Sequence, residues 1–259
     1  MFIDTHTHIY VKQFDEDREE MIERAIEAGV ETFFLPNIDQ DSIESMINLE
    51  TQYPNRCHAM MGLHPCSVDE NVEESLEVVK SYLDKRSFVA IGEIGIDLYW
   101  EKKFFSQQEM AFKKQISWAK EADVPIVIHC REATQDVLKI LRECHDNKLR
   151  GIFHCFGGSV EEAEQIIELG FLLGIGGVLT FKKAGLDNTL NAIGLENIVL
   201  ETDSPYLAPV PFRGKRNESA YVRIVAEKLA EIKQIPLSEV AKITSENAMR
   251  IFQMNEKKA

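Results

Sequence analysis

The sequence predicts an α/β fold, a (β/α)8 TIM barrel, with residues 1–259 forming a single domain. Three observations carry that expectation. Eight short β-rich runs alternate with longer amphipathic segments, which suits a closed barrel of about 250 residues. No Pro/Ser-rich linker, low-complexity tract or shift in composition divides the chain. With 259 residues, 44% of them hydrophobic, the chain has material for one large core. An open doubly wound sheet shows the same alternation and remains the alternative architecture.

The first run is Met1 to Asp4, followed by a helix near Asp15 to Ala28 that Gly29 stops. Glu31 to Leu35 is the second strand and Asp41 to Gln52 the next helix. Cys57 to Met61 and Ser87 to Ile91 read as strands three and four, with the helix Val72 to Leu83 between them. Ser106 to Ala122 is helical, with Phe112, Ile116 and Ala119 on its apolar face. Pro125 opens Ile126-Val127-Ile128, an uninterrupted apolar run typical of a strand buried on both faces. The alternation continues through a helix at Thr134 to Cys144, strand Gly151 to Phe153, helix Val160 to Leu169 and strand Phe171 to Leu173. A Gly-interrupted segment, Lys182 to Ile193, precedes the eighth strand, Asn197 to Leu200. Two helices, Ser219 to Ile232 and Leu237 to Met254, complete the chain, with Ser238 as a candidate cap for the last.

Charge narrows the functional classes. Twenty-nine Lys and Arg against 43 Asp and Glu give a formal charge of -14, which argues against gripping nucleic acid through a broad basic surface. It leaves room for local capture of phosphate through metal ions. The N-terminus has no signal-peptide pattern, and the longest apolar run, Phe171 to Val178, is short and broken by glycines. Five cysteines without a CxxC pair read as small buried hydrophobes in a reducing compartment. A cytoplasmic protein without membrane segment or obligate protein partner is the expectation.

The informative residues fall just beyond the expected strands. His6 and His8 follow the first, Glu93 the fourth, His129 the fifth, His154 the sixth and Asp203 the eighth. In a barrel these positions converge on the C-terminal rim, where active sites lie. Two histidines two residues apart can face the same way from a strand end and share an ion. Six imidazole and carboxylate ligands exceed a structural zinc site and suit two adjacent divalent ions. Glu93 would bridge them, His6, His8 and Asp203 would hold one ion, and His129 and His154 the other. Zn, Mn, Mg or Fe all remain compatible with such a set. Glu93 and Asp203 are the candidate catalytic carboxylates, Asp203 as general base. Taken singly, His129 and His154 also read as core histidines, Glu93 as a rim charge and Asp203 as a helix cap.

Other residues are candidates for substrate contacts. His64, in Gly62-Leu63-His64-Pro65, can donate to a substrate oxygen, and the Arg131 fork suits a phosphoryl group. A loop histidine and a surface salt bridge are the respective alternatives. Asp4 is placed beneath the ligands, to orient one of them. Arg213, Lys215 and Arg216 form a compact basic cluster that either meets a nucleic-acid backbone or is a solvated face. Tyr99, Trp100 and Phe104 either stack a base or cover the barrel mouth.

The motifs Ile3-Asp4-Thr5-His6-Thr7-His8, Gly62-Leu63-His64-Pro65, Gly92-Glu93-Ile94-Gly95-Ile96-Asp97 and Pro125 to Arg131 follow one another in order. They continue with His154-Cys155-Phe156-Gly157-Gly158, Glu201 to Leu207 and Arg216-Asn217-Glu218. In order and spacing the chain resembles the TatD family of metal-dependent deoxyribonucleases, over nearly its whole length. The resemblance implies a barrel with a metal site of His6, His8, Glu93, His129, His154 and Asp203. It implies hydrolysis of DNA phosphodiesters, often as a 3′ exonuclease on single strands or ends, with His64 and Arg131 helping to hold phosphate. Two positions depart from the family pattern. Cys66 stands where a second histidine is common, and Ser219 stands where proline is usual, which would relax the turn before the next helix. Leu98-Tyr99-Trp100 also varies the usual pattern.

Two rival functions remain. An amidohydrolase would use the same chemistry on a carbon–nitrogen or ester bond, although Glu93 occupies the strand-four position where a metal-bridging lysine would mark that branch. A noncatalytic nucleic-acid-binding or partner-binding protein would keep the ions for stability alone.

Overall fold

Apolar strands of three to seven residues, buried almost throughout, surround a filled interior in the computed structural model, which describes residues 1–100 and 102–254. The strands are β1 (Phe2–Asp4), β2 (Val30–Pro36), β3 (Cys57–Met60), β4 (Ile91–Asp97), β5 (Ile126–Arg131), β6 (Gly151–Phe153), β7 (Phe171–Ile175) and β8 (Ile198–Leu200). All pair in parallel with their sequence neighbours, in two arcs, β1 to β3 and β4 to β8. Isolated parallel bridges, Met61 with Ile91 and Thr7 with Ser204, join the arcs at both seams. The Thr5 N–H also donates to Leu200 O at 3.0 Å and Asp203 N–H to His6 O at 2.9 Å. Strand order and closure make this a (β/α)8 barrel and not an open sheet.

Nine helices of the described residues wrap the strands: α1 (Arg18–Glu27), α2 (Ile43–Gln52), α3 (Val72–Leu83), α4 (Phe105–Ala122), α5 (Thr134–Cys144), α6 (Val160–Glu168), α7 (Leu186–Ala192), α8 (Val222–Lys233) and α9 (Leu237–Ile251). None is long and apolar enough to cross a membrane. The barrel interior is a ring of Ile3, Phe34, Met60, Ala90, Val127, Ile152, Leu172 and Val199. Ile251 and Phe252, at the end of α9, plug it from the N-terminal strand ends, and Phe252 stacks on Phe34 with ring centroids 3.7 Å apart. That plug leaves only the C-terminal rim open for chemistry.

Three local expectations are corrected. Strand four is not Ser87 to Ile91 but Ile91–Asp97, so Glu93 lies within the strand. The apolar run Phe88 to Ile91 draws the reading early, while Gly92 and Gly95 argue against a strand by propensity. Pairing decides otherwise: Gly95 is opposite His129, and a Cβ on Gly95 would lie 2.0 Å from the His129 carbonyl oxygen. His129 likewise sits inside β5. Ser238 does not cap α9, because Pro236 occupies the cap position and no side chain bonds there. Ser219 itself is buried in a 3-10 turn, and its hydroxyl lies 3.3 Å from that of Thr7.

The basic cluster after β8 also reads differently in three dimensions. Arg216 donates to both oxygens of Asp17, at 2.6 and 2.7 Å, and to Gln13 O at 2.7 Å. Arg24 adds a bond to Asp17 at 3.0 Å and one to Glu218 at 2.8 Å. Arg216 therefore ties the β8 loop to the start of α1, and its fork is not open to a nucleic-acid backbone.

Arg216, ahead of Arg24, holds the Asp17 carboxyl at about 2, below its ordinary value. The network's stabilisation is therefore complete above about pH 4 and lost as pH falls toward about 2. Arg216→Ala is expected to cost about 1 kcal/mol near neutral pH after solvent screening. The gap from wild type in urea-unfolding midpoint should close between about pH 4 and 2.

Candidate metal centre

The rim converts the strand ends into a converging set of lone pairs. Thr7 is drawn outward by the bond between its hydroxyl and that of Ser204, 2.6 Å, so His6 and His8 turn to the same side. Their Nε2 atoms lie 3.3 Å apart. Glu93 enters from β4, with its N–H donating to Asn37 O at 3.1 Å. His129 comes from β5, His154 from the residue after β6, and Asp203 from the loop beyond β8.

The Glu93 carboxylate divides this set. Its Oε2 lies 3.1 Å from His6 Nε2 and 3.7 Å from His8 Nε2, and Asp203 Oδ1 is 3.8 and 3.5 Å from the same two nitrogens. Its Oε1 lies 2.8 Å from His129 Nδ1, 3.4 Å from His64 Nε2 and 3.8 Å from His154 Nε2. His154 sits at the seam, also 3.9 Å from Asp203 and stacked on His6 with centroids 3.5 Å apart. All six ligand candidates thus come together, in two half-sites on the two oxygens of one buried carboxylate.

Electrostatics favour a bound cation here. Burial works against ionisation of Glu93, but His6, His64 and His154 outweigh it and hold the carboxyl well below its ordinary range. Asp203 is likewise held low against burial by His8 and the neighbouring imidazoles. Burial, then His154, lowers His6, which leaves its ring neutral and its lone pair available. Imidazole and carboxylate lone pairs converging at these distances are satisfied by a divalent cation, and the donor set fits Zn, Mn or Fe.

Tyr10 and Asp97 fix ring tautomers and Glu201 closes on a third ring, and the sequence assigns none of the three a role. The Tyr10 hydroxyl donates its proton to Pro36 O at 2.5 Å, so it accepts from His8 Nδ1 at 2.9 Å and leaves Nε2 bare. Asp97 Oδ2 accepts from His129 Nε2 at 2.8 Å, which leaves Nδ1 facing Glu93. Glu201 Oε1 lies 2.9 Å from His154 Nδ1 and accepts the Cys155 N–H at 2.7 Å. Glu201 is fully buried, and a Cβ on Gly174 would fall 2.3 Å from its Oε2, so glycine makes the space this carboxylate occupies. Their only sequence signal was an acid or phenol two to four residues from a ligand candidate.

His64 behaves differently from the ligands. Its Nδ1 accepts the Cys66 N–H at 3.0 Å, so Nε2 carries the proton and is a donor. Asp4 touches no imidazole; it accepts from the Thr202 hydroxyl at 2.6 Å and the Thr202 N–H at 3.0 Å, locking β1 to the segment that carries Asp203.

Above these groups lies a cavity of about 760 Å3, with Cys66, Arg131, Trp100, Tyr206 and Leu207 in its walls. Arg131 stacks on Tyr99, its guanidinium carbon 3.9 Å from the ring centre, and lies 5.5 Å from that of Trp100. Arg213 instead covers Phe181 at 4.0 Å, and Lys215 lies over Phe212. Burial, then Asp97, pushes the Cys66 thiol up to about 12, so it stays neutral where a histidine would titrate. A neighbouring groove of about 600 Å3, beyond Tyr10, contains none of the six ligand candidates.

A barrel carrying such a centre on its open rim belongs to the metal-dependent hydrolases. A model of the TatD related DNase family matches residues 3–253. The Bacillus subtilis (strain 168) protein named uncharacterized metal-dependent hydrolase YabD is 41% identical over 256 residues, covering 98% of this chain and 100% of that one. The 3′-5′ ssDNA/RNA exonuclease TatD of Yersinia pseudotuberculosis serotype O:3 (strain YPIII) is 32% identical over 251 residues, covering 93% and 95%. The crystal structure of YJJV, a TatD homolog from Escherichia coli K12, superposes with a TM-score of 0.92 at 29% identity, covering 98% of each chain. The chain belongs to the TatD related DNase family.

If Asp97 and Glu201 orient their histidines, Asp97→Asn and Glu201→Gln should each weaken metal binding by roughly 10- to 100-fold. Competition against a chromogenic chelator measures this. Wild-type affinity in both folded variants would show that the two carboxylates serve packing only.

Proposed function

We propose that this protein is a metal-dependent nuclease that hydrolyses DNA phosphodiester bonds, working from the 3′ end of single strands or exposed ends. The observation that carries the reading is the pair of half-sites on Glu93, placed beside a histidine donor and an arginine that stacks on Tyr99 at the cavity wall. The name of the Yersinia relative supports the polarity and the single-stranded substrate, and extends the expectation to RNA.

His6, His8 and Asp203 would hold one divalent ion and His129 and His154 the other, with Glu93 between them. The ions, when bound, supply Lewis acidity and make water acidic enough to act as a nucleophile near neutral pH. The chain's own residues do the rest. His64 donates from Nε2 to a non-bridging phosphate oxygen. Arg131, oriented by Tyr99, presents two N–H groups to a second oxygen and offsets the charge that grows as phosphorus is attacked. Asp203, ionised at neutral pH, takes the proton released by the attacking water. Cys66, a neutral thiol, adds neither charge nor base, so the phosphate clamp rests on His64 and Arg131. Five cysteines, all free, fit a single hydrolase domain working in a reducing, cytoplasmic setting.

Protein loaded in turn with Mg, Mn, Zn or Fe should release mononucleotides from single-stranded DNA blocked at its 5′ end and spare strands blocked at the 3′ end. Asp203→Asn should lower kcat by about 10²- to 10⁴-fold. Arg131→Ala should impair phosphodiester cleavage far more than cleavage of a neutral amide or ester; equal loss on both would favour the amidohydrolase reading. No release from any strand with any metal would refute the nuclease reading, and tight strand binding without turnover would point to a binding protein.

A further inference from the structure

Among the described residues, only three aromatic side chains are largely open to solvent: Trp100 (68%), Tyr99 (49%) and Tyr206 (47%). Trp100 and Tyr206 line the cavity above the candidate metal centre, and Tyr99 stands beside it, stacked under the wall residue Arg131. Leaving large rings in water costs burial that the fold does not recover, so their shared position calls for a ligand.

Each aromatic shelf is fastened to a different half-site. On one side, Asp97 Oδ1 accepts the N–H groups of both Tyr99 and Trp100 at 2.9 Å, while its Oδ2 orients His129. The two rings meet edge to face, with centroids 4.8 Å apart, and Arg131 lies over Tyr99. On the other side, the Tyr206 N–H donates to Asp203 O at 2.8 Å, and Asn217 holds the Tyr206 carbonyl at 2.6 Å. The Tyr206 ring stands 6.2 Å from that of His8, a member of the opposite half-site. Both shelves are thus pre-set by the groups that position the ligands, which lowers the ordering cost of binding.

Resting on the nuclease reading above, we propose that these shelves are two base-stacking subsites flanking the scissile phosphate. Tyr99 and Trp100 take the base on the His129 side, and Tyr206 takes the base on the His8 side. The occupant is a single-stranded nucleic acid with its bases unstacked. Arg131, stacked on Tyr99 at the cavity wall, meets the intervening phosphate, and a cavity of about 760 Å3 has room for a nucleotide or two. Stacking is indifferent to base identity, so the site reads single-strandedness and not sequence. This arrangement also lets a chain of charge -14 hold a polyanion without a basic surface.

The chain has two tryptophans, Trp100 and the buried Trp118, so Trp118→Phe leaves Trp100 as the only tryptophan emitter. Metal-loaded Trp118→Phe protein titrated with phosphorothioate oligothymidylate should show quenching of Trp100. In hydrolysis, Trp100→Ala and Tyr206→Ala should each lower kcat/KM on base-bearing strands by roughly 5- to 150-fold. The loss should shrink on strands whose last two nucleotides are abasic. Unquenched emission, with the same kcat/KM for wild type and both variants on base-bearing strands, overturns the subsites while leaving hydrolysis standing. Quenching with no hydrolysis of any strand would sink the nuclease reading and support the subsites.

Discussion

One buried carboxylate, Glu93, sets the terms for the rest of the rim. It is held ionised although burial opposes it, and its two oxygens face two separate groups of ring nitrogens. An isolated carboxylate in such a place would neutralise itself; a divalent cation held among these lone pairs would keep it charged. Those histidines in turn need partners that hold their protons on the far side of the ring. Tyr10 and Asp97 do that, Glu201 lies 2.9 Å from His154 Nδ1, and Gly174 leaves the space that Glu201 occupies.

Much of this was legible in the sequence because a barrel separates its functions along each strand. Apolar runs mark the strands, and the polar residue that ends a run marks the rim, so His6, His8, His154 and Asp203 could be placed without coordinates. Strand four was misread because Gly92 and Gly95 lower strand propensity where the backbone must approach β5 closely. Arg216 was misread because its partner, Asp17, lies 199 residues away, and a run of basic residues does not show which of them is already paired. Tyr10, Asp97 and Glu201 were missed for a related reason. Their role is defined by one close approach to a ring nitrogen, and sequence spacing does not encode that direction.

The charge balance and the site fit together. An acidic surface repels extended polyanions, so on the proposed reading attraction would be concentrated at the candidate metal centre, Arg131 and the aromatic shelves. On the proposed nuclease reading, such an interface would engage a strand over a short length and release it readily, with little of the steep salt dependence that a broad basic face produces.

The central claim is that Glu93 joins two divalent ions in one centre. Metal analysis of protein equilibrated with excess Mn and freed of unbound ion, for wild type and Glu93→Gln, tests it most directly. About two ions per wild-type chain are expected, lost together or reduced to one weakly held ion in the variant. One ion per wild-type chain, retained unchanged in Glu93→Gln, would contradict it.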